Sequence, residues 1–203
     1  MKKLICVLLL VALCLPFAAA EENPYPFMEI SFDQGIVTYL PELVKLYGGE
    51  EPEYVNFTDT VYSWNDYDKN HLGRLMTYKP ADMNVGGYTV SSVDLVELVA
   101  DYDHSMTRMA YIQMNYDVLP GRESEVYDRV CADIGETYGE GKWNVDDAQW
   151  VTTMTTEWAI DEDMFLGAEL WISKRNGSCT LKVCYGLQDF DFLCEMMTEA
   201  PVQ

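Results

Sequence analysis

Strict alternation of apolar and polar side chains is the feature that most constrains the fold of this chain. Every second residue from Ala110 to Val118 is apolar. Successive side chains of a strand point to opposite faces, so this period of two predicts a half-buried strand of an antiparallel sheet. Three later strands are predicted in the same way from their inward-facing sets, which are Trp150, Thr152, Met154, Thr156 and Trp158; Leu166, Ala168, Leu170 and Ile172; and Cys179, Leu181, Val183 and Tyr185.

Two segments have helical periodicity instead. In residues 122–138 an apolar side chain recurs every four positions and Gly139 follows, which predicts a long amphipathic helix that ends there. Residues 36–47 predict a shorter helix, and because Pro41 lies in its first half we expect the regular part to start near that proline. Residues 21–35 contain two prolines and are expected to form a mobile or extended lead-in.

The predicted fold class is α+β, with an antiparallel sheet, one long helix packed on one face, and a smaller N-terminal helix–strand segment. That segment covers residues 21–80 and the sheet–helix domain covers residues 81–203, and we expect the two to form one compact unit. Both helices end in Tyr-Gly, at residues 47–48 and 138–139, which indicates either an internal duplication or a chance match.

Weaker patterns complete the prediction. Residues 55–62 and 74–79 predict two early strands, with a polar, turn-rich stretch between them. Residues 88–99 predict another strand, with an irregularity at Ser91-Ser92. The tail, residues 189–200, predicts a last amphipathic helix.

The N-terminus predicts export. A short basic start precedes twelve apolar residues, 4–15, and Ala18–Ala20 supplies the small residues that a signal peptidase requires. We therefore predict a signal peptide over residues 1–20, because twelve apolar residues are too few for a membrane span of about 20. Lipidation at Cys14 is disfavoured because Leu13 stands where a small residue is needed. The expected location is secreted, extracellular or periplasmic, without membrane insertion after cleavage.

The charge balance limits the classes of ligand that we expect this chain to bind. Lys and Arg total 13 against 34 Asp and Glu, so the formal net charge is -21. This acidity argues against nucleic acid as a ligand, because phosphate contacts need clustered Lys and Arg. It predicts a protein or peptide partner with a basic patch, and it is equally consistent with a solubility device.

Four cysteines follow the predicted leader, and an even number in an exported chain favours disulfides. In one strand, Cys179 and Cys184 would lie about 16 Å apart on opposite faces, too far to bridge. Two pairings remain, which are Cys131–Cys179 with Cys184–Cys194 and Cys131–Cys184 with Cys179–Cys194. We favour the first. Cys131 borders the apolar helix face, and Cys179 lies on the inward strand face. Free thiols are the alternative.

Catalytic motifs are absent from the sequence, which has two histidines and no nucleophile elbow, zinc-protease motif or phosphate-binding loop. We therefore predict no catalytic residue. The many acids and aromatic residues leave one enzymatic alternative, an extracellular carbohydrate-active hydrolase that uses paired carboxylates. The tryptophans Trp150 and Trp158 are more simply explained by packing within the sheet.

A weak calcium site is the one metal candidate. Asp66, Asp68 and Asn70 supply oxygen ligands at positions 1, 3 and 5 of a calcium loop. The rest of the pattern departs from such a loop, because His71 stands where Gly is needed and Thr77 where a bidentate Glu belongs. The alternative interpretation of this segment is a solvated turn. If the segment binds calcium, the whole chain is interpreted as a calcium-stabilised surface structural protein. No other cofactor is predicted.

The arrangement of the second half resembles a known group of exported domains. Val85-Gly86-Gly87-Tyr88 opens a strand, the helix ends in Tyr138-Gly139, and Leu181–Tyr185 forms the terminal strand. Residues from about Gly86 to Gly186 resemble the small exported bacterial domains grouped around the β-lactamase inhibitory protein and the small lipoprotein subunit of the outer-membrane assembly machine. The resemblance implies a non-catalytic domain that binds proteins through an exposed sheet face and loops. It transfers no site residue, and the leader lacks a lipobox cysteine.

Overall fold

The computed structural model describes residues 24–49, 58–64, 69–100, 106–188 and Met197, with only the backbone described between residues 58 and 72. These residues form a short 3₁₀ turn (Pro26–Glu29), helix α1 (Ile36–Tyr47) and helix α2 (Glu123–Tyr138). The strands are β1 (Thr58–Trp64), β2 (Lys69–Tyr78), β3 (Asn84–Val85), β4 (Tyr88–Thr89), β5 (Ser92–Val99), β6 (Thr107–Tyr116), β7 (Lys142–Asp147), β8 (Val151–Ala159), β9 (Met164–Ser173) and β10 (Cys179–Leu187).

Eight strands form one antiparallel sheet in the order β1-β2-β5-β6-β10-β9-β8-β7, and β3 and β4 form a separate hairpin. The predicted α+β class is therefore confirmed. The topology repeats itself: each half is a helix followed by a four-stranded meander, and the last strands of the two meanders, β6 and β10, lie side by side at the centre. The two Tyr-Gly helix ends found in the sequence occupy equivalent places in the two halves.

Alternation gives the sheet one apolar face, as predicted, but Ala110 is an exception: the register shift between Val96 and Glu97 puts it in a cluster on the opposite face. Met114 of β6 lies opposite Val93 of β5 on one side and Val183 of β10 on the other, and all three are fully buried. The predicted inward-facing residues of β8, β9 and β10 continue this apolar layer, which packs under the two helices. We call this side of the sheet the covered face, and its opposite side the open face.

Each helix covers its own half of the sheet. Helix α2 packs on β9 and β10 through Val126, Val130 and Ile134, and ends at Gly139, whose φ of 82° is left-handed and favours glycine. Helix α1 packs on β5 and β6. It begins at Ile36, so the expectation that its regular part starts near Pro41 is wrong. Pro41 faces solvent, where water can replace the hydrogen bond that proline cannot donate.

The N-terminal segment is part of the core, so the expectation of a mobile or extended lead-in is wrong from residue 24 onward. Phe27 is completely buried, and its ring meets that of Tyr185 edge-on at 5.7 Å. Its backbone N–H donates to Tyr47 Oη (3.2 Å) and its carbonyl accepts from Tyr39 Oη (3.1 Å), both from α1. The next residue, Met28, accepts hydrogen bonds from Tyr138 of α2 and Tyr185 of β10. The segment therefore ties both halves together.

A buried carboxylate fixes the start of α1. Glu97 lies at an irregularity in the β5–β6 pairing and is 1% exposed. Its Oε2 accepts the backbone N–H of Ile36 at 2.7 Å, and its Oε1 lies 3.6 Å from Arg74 Nη1. The preceding residue is Gly35, where a Cβ would overlap the side chains of Thr107 and Glu97. Only glycine allows the chain to approach the sheet this closely.

Several strand boundaries differ from prediction. β1 and β2 extend into the stretch expected to be a polar turn, and the predicted irregularity at Ser91-Ser92 is confirmed as the break between β4 and β5. Strand β7 was not predicted from the sequence. The predicted helix over 189–200 lies outside the described residues, apart from Met197.

Replacing Phe27 by alanine tests the role of the N-terminal segment. We expect Phe27→Ala to lower the free energy of unfolding by about 3–5 kcal/mol, because a fully buried aromatic ring is lost between the two halves. Denaturant unfolding followed by tryptophan fluorescence measures this change. Leu119→Ala is the matched control, since Leu119 is 71% exposed and should change the free energy by less than about 0.5 kcal/mol. A similarly small effect of Phe27→Ala would contradict the assignment.

Candidate binding surface

The register of the central strands brings polar residues from five strands together on the open face. Asp94 of β5 lies opposite Gln113 of β6, which lies opposite Cys184 of β10. In the neighbouring row, Asn115 lies opposite Lys182, and Lys182 lies opposite Glu169 of β9. Helices α1 and α2 lie on the other side of the sheet, so they leave these side chains uncovered.

Hydrogen bonds hold this polar cluster in place. Asp94 accepts from Thr77 Oγ1 at 2.6 Å, from Asn115 Nδ2 at 2.9 Å and from Gln113 Nε2 at 3.4 Å. Gln113 Nε2 also donates to Asn115 Oδ1 at 2.8 Å. In the adjoining pair, Lys182 Nζ lies 3.0 Å from Glu169 Oε1. We call Thr77, Asp94, Gln113, Asn115, Lys182 and Glu169 the polar cluster.

The other end of the open face is apolar and covered. Val96, Leu98, Ala100 and Ala110 form a second buried cluster there, and Met197 of the tail packs against it. The apolar end of the open face is therefore buried, whereas this cluster does not extend over the polar end.

Tryptophans at the β7–β9 end differ in their environment. Trp171 is 37% exposed on the open face, opposite Thr180 and Thr153. Trp158 is buried on the covered face, as the packing interpretation predicted, and its Nε1 donates to Gly139 O at 2.9 Å. Trp150 is 57% exposed, so the packing interpretation is wrong for it; it precedes β8, and Arg175 lies over its ring at 5.1 Å.

Cys184 lies beside the polar cluster, in the same row across the sheet as Asp94 and Gln113. Its Sγ lies 4.0 Å from Gln113 Oε1. Burial raises the pKa of the Cys184 thiol to about 11, and the carboxylates of Glu169 and Asp94 act in the same direction, against Lys182. A thiol that stays protonated at neutral pH is a poor nucleophile, so this cysteine is suited to packing rather than to covalent catalysis.

The predicted Cys131–Cys179 disulfide is wrong, because both cysteines are free. Both border the apolar core, as expected, but at different heights along α2. Cys179 lies beside Glu123, the first residue of α2, and Cys131 is eight residues further on beside Tyr127. Eight residues of helix rise about 12 Å, well beyond the Cα separation that a disulfide spans. Cys184 is also free, and its predicted partner Cys194 lies outside the described residues.

The calcium candidate is only partly within the described structure. Asp66 and Asp68 lie outside the described residues, and Asn70 belongs to β2, where its backbone pairs with Ser63. Residues 69–77 of the predicted loop belong to β2, and the calcium site stays a prediction. Among the side chains that the structure describes, no three Cys, His, Asp or Glu residues converge as metal ligands.

Two acids of neighbouring strands lie near each other on the open face. Glu157 and Glu169 are diagonal neighbours on the open face, with about 7–8 Å between their Cα atoms. However, Glu157 is exposed and Glu169 is bound to Lys182.

The edge strand β7 is a part of the surface that was not foreseen from the sequence. All six of its residues are exposed, including Trp143 at 62% and Val145 at 38%. The alternation of Trp143 and Val145 with polar neighbours could have identified this strand, but the segment is short and follows directly after the helix end.

Comparisons with protein-family models, curated proteins and solved structures found no match to this chain. No helix in the described part of the chain is long and apolar enough to cross a membrane.

The free thiols give a direct test of the corrected pairing. We expect protein unfolded in guanidinium without reductant to be alkylated at both Cys131 and Cys179, because neither forms a disulfide. Peptide mapping by mass spectrometry measures this, with a reduced sample as the control. A peptide pair linked through Cys131 and Cys179 would contradict the assignment of both residues as free thiols.

Cys184 should show a shifted pH profile. With a pKa near 11 in place of its ordinary value near 9, about one hundredth of the thiol is ionised at pH 9. Iodoacetamide should therefore alkylate Cys184 in the folded protein at least tenfold more slowly than in the unfolded protein at pH 9. The folded rate should keep rising with pH until about pH 11. A folded rate that levels off near pH 9 would contradict this environment.

Proposed function

We propose that this protein is an exported, non-catalytic binding protein that recognises a basic protein or peptide segment on the polar end of its open face. The observation that carries the proposal is the polar cluster itself. Asp94 accepts three hydrogen bonds from neighbouring side chains, so its carboxylate is held in one orientation before any partner arrives. Preorganised groups lose less conformational entropy on binding, which favours affinity and specificity.

The dimensions of this surface suit an extended peptide. From Asp94 on β5 to Trp171 on β9 the path crosses three strand spacings and four residues along a strand, which is about 20 Å. An extended peptide of about six residues has this length. Lys or Arg side chains can meet Asp94 and Glu169 along the path, and Trp171 offers a ring face at its end.

The charge of the chain supports a basic partner. A net charge of -21 attracts cationic segments over a distance, and such steering accelerates association and weakens as salt is added. The resemblance of residues 86–186 to exported domains that bind proteins, and the predicted leader, point in the same direction.

The test begins with selection of a ligand. The purified protein is panned against a phage-displayed library of random twelve-residue peptides, and the enriched peptide is synthesised with a fluorescent label. We expect enrichment of Lys and Arg, and a Kd by fluorescence anisotropy that rises between 50 and 300 mM NaCl. Asp94→Asn and Trp171→Ala should each raise the Kd about tenfold, a loss of about 1.4 kcal/mol.

Trp143→Ala is the matched control, because Trp143 lies on the other side of the sheet, opposite Thr156. Its Kd for the peptide should equal that of the unmodified protein. Enriched peptides without basic residues, or a Kd that neither open-face variant changes, would contradict the proposed function.

A further inference from the structure

Strand β7 forms one edge of the eight-stranded sheet and is exposed along its whole length. It pairs with β8 residue for residue from Lys142 to Asp147. Proteins usually protect such edges with proline, bulges or several lysines, because an unprotected edge can pair with another strand. β7 has no proline, no register shift and one lysine at its first position.

The two sides of β7 carry different chemistry. Lys142, Asn144 and Asp146 point to the open face, since Lys142 lies opposite Glu157 and Asn144 opposite Thr155. Trp143 and Val145 point to the covered side, beyond the edge of the helical layer, where they lie opposite Thr156 and Met154. Any strand that adds to this edge must therefore match a charged row on one face and an apolar pair on the other.

A second copy of β7 meets both requirements. When two copies join antiparallel around an axis perpendicular to the sheet, open face continues into open face, so residues that meet must share a face. Centring the pair on Asn144 places Lys142 opposite Asp146 of the second copy, and places Trp143 opposite Val145 of the second copy. Both pairs occur twice by symmetry, which gives two ion pairs and two apolar contacts.

The neighbouring registers that keep the faces continuous are poorer. Centring on Val145 would place Trp143 opposite Asp147 of the second copy and leave Lys142 beyond the end of the pairing. Centring on Trp143 would place Lys142 opposite Asn144 and leave Asp146 without a facing cation. The sequence of β7 thus specifies one register, and register specificity is what separates a defined interface from casual edge pairing.

We infer that the protein forms a symmetric dimer through antiparallel pairing of β7 with β7 of a second copy, centred on Asn144. The two eight-stranded sheets join into one continuous sheet. Lys142 is then flanked by its own Glu157 and by Asp146 of the second copy, while an apolar strip of Met154, Val145 and Trp143 runs across the junction. The partner-binding polar cluster, which lies several strands away, stays accessible in both copies.

The strength of this dimer follows from its size. Six residues a side are fewer than the 20–30 of a standard interface, so a weak and reversible dimer is expected. The net charge of -21 on each copy opposes association, but at 0.15 M salt the screening length is about 8 Å and distant charges contribute little. Complementarity between the two β7 strands therefore decides whether the two copies associate.

Sedimentation equilibrium of the purified protein from 5 to 500 μM in 0.15 M NaCl measures the dimer. Lys142→Asp places two aspartates opposite each other, and Asp146→Lys places two lysines opposite each other. Each variant alone should raise the dimer Kd at least tenfold. An equimolar mixture should recover a heterodimer of near-original affinity, since both facing pairs of positions 142 and 146 then join an aspartate of one variant to a lysine of the other. Trp143→Ala should weaken the dimer, and Trp171→Ala should leave it unchanged.

Recovery in the mixture distinguishes a lost contact from a misfolded variant, because a misfolded chain would not regain affinity. A monomer at every concentration overturns the inference, as does a dimer that the β7 charge variants do not weaken. Binding of a foreign lysine-rich peptide to β7 in the absence of a dimer also overturns it. The dimer test is independent of the peptide assay. In the peptide assay Trp171→Ala should weaken binding and Trp143→Ala is the control. In the dimer assay Trp143→Ala should weaken association and Trp171→Ala is the control.

Discussion

The packing of Phe27 is the interaction on which the rest of the structure depends. Its ring is fully buried, and the segment around it is held by tyrosines from α1, α2 and β10. The two halves of the sheet are joined by the β6–β10 pairing, and on the covered face each half brings its own helix. The N-terminal segment satisfies the tyrosine hydroxyls that face it and fixes both helices against one sheet.

The placement of both helices on one face of the sheet leaves the opposite face free of helices. Because both helices and the N-terminal segment lie on the covered face, the open face can carry polar side chains that bond to one another. Its apolar end is closed by Met197, which leaves the polar cluster and Trp171 available. Glu97 shows the opposite use of a carboxylate, since it is buried and holds the start of α1. A carboxylate therefore has a structural role at Glu97, and we propose a binding role for the carboxylate of Asp94.

Local patterns in the sequence were enough to predict the fold class, both helices and five of the central strands, because period and capping are local properties. Three features depended on tertiary contacts and were missed. The burial of Phe27 requires tyrosines that are distant in sequence, and the spacing of Cys131 and Cys179 depends on how far each lies along α2. The polar cluster depends on a register across five strands, which alternation alone does not set.

We propose that a basic partner binds on the polar end of the open face. The most direct measurement is an NMR titration of ¹⁵N-labelled protein with the selected basic peptide, following the side-chain amides of Gln113 and Asn115, which lie inside the polar cluster. We expect saturable shifts of both side-chain amides and of the indole N–H of Trp171. The indole N–H of Trp143 should not shift. Shifts confined to the helices or to the covered side would contradict it.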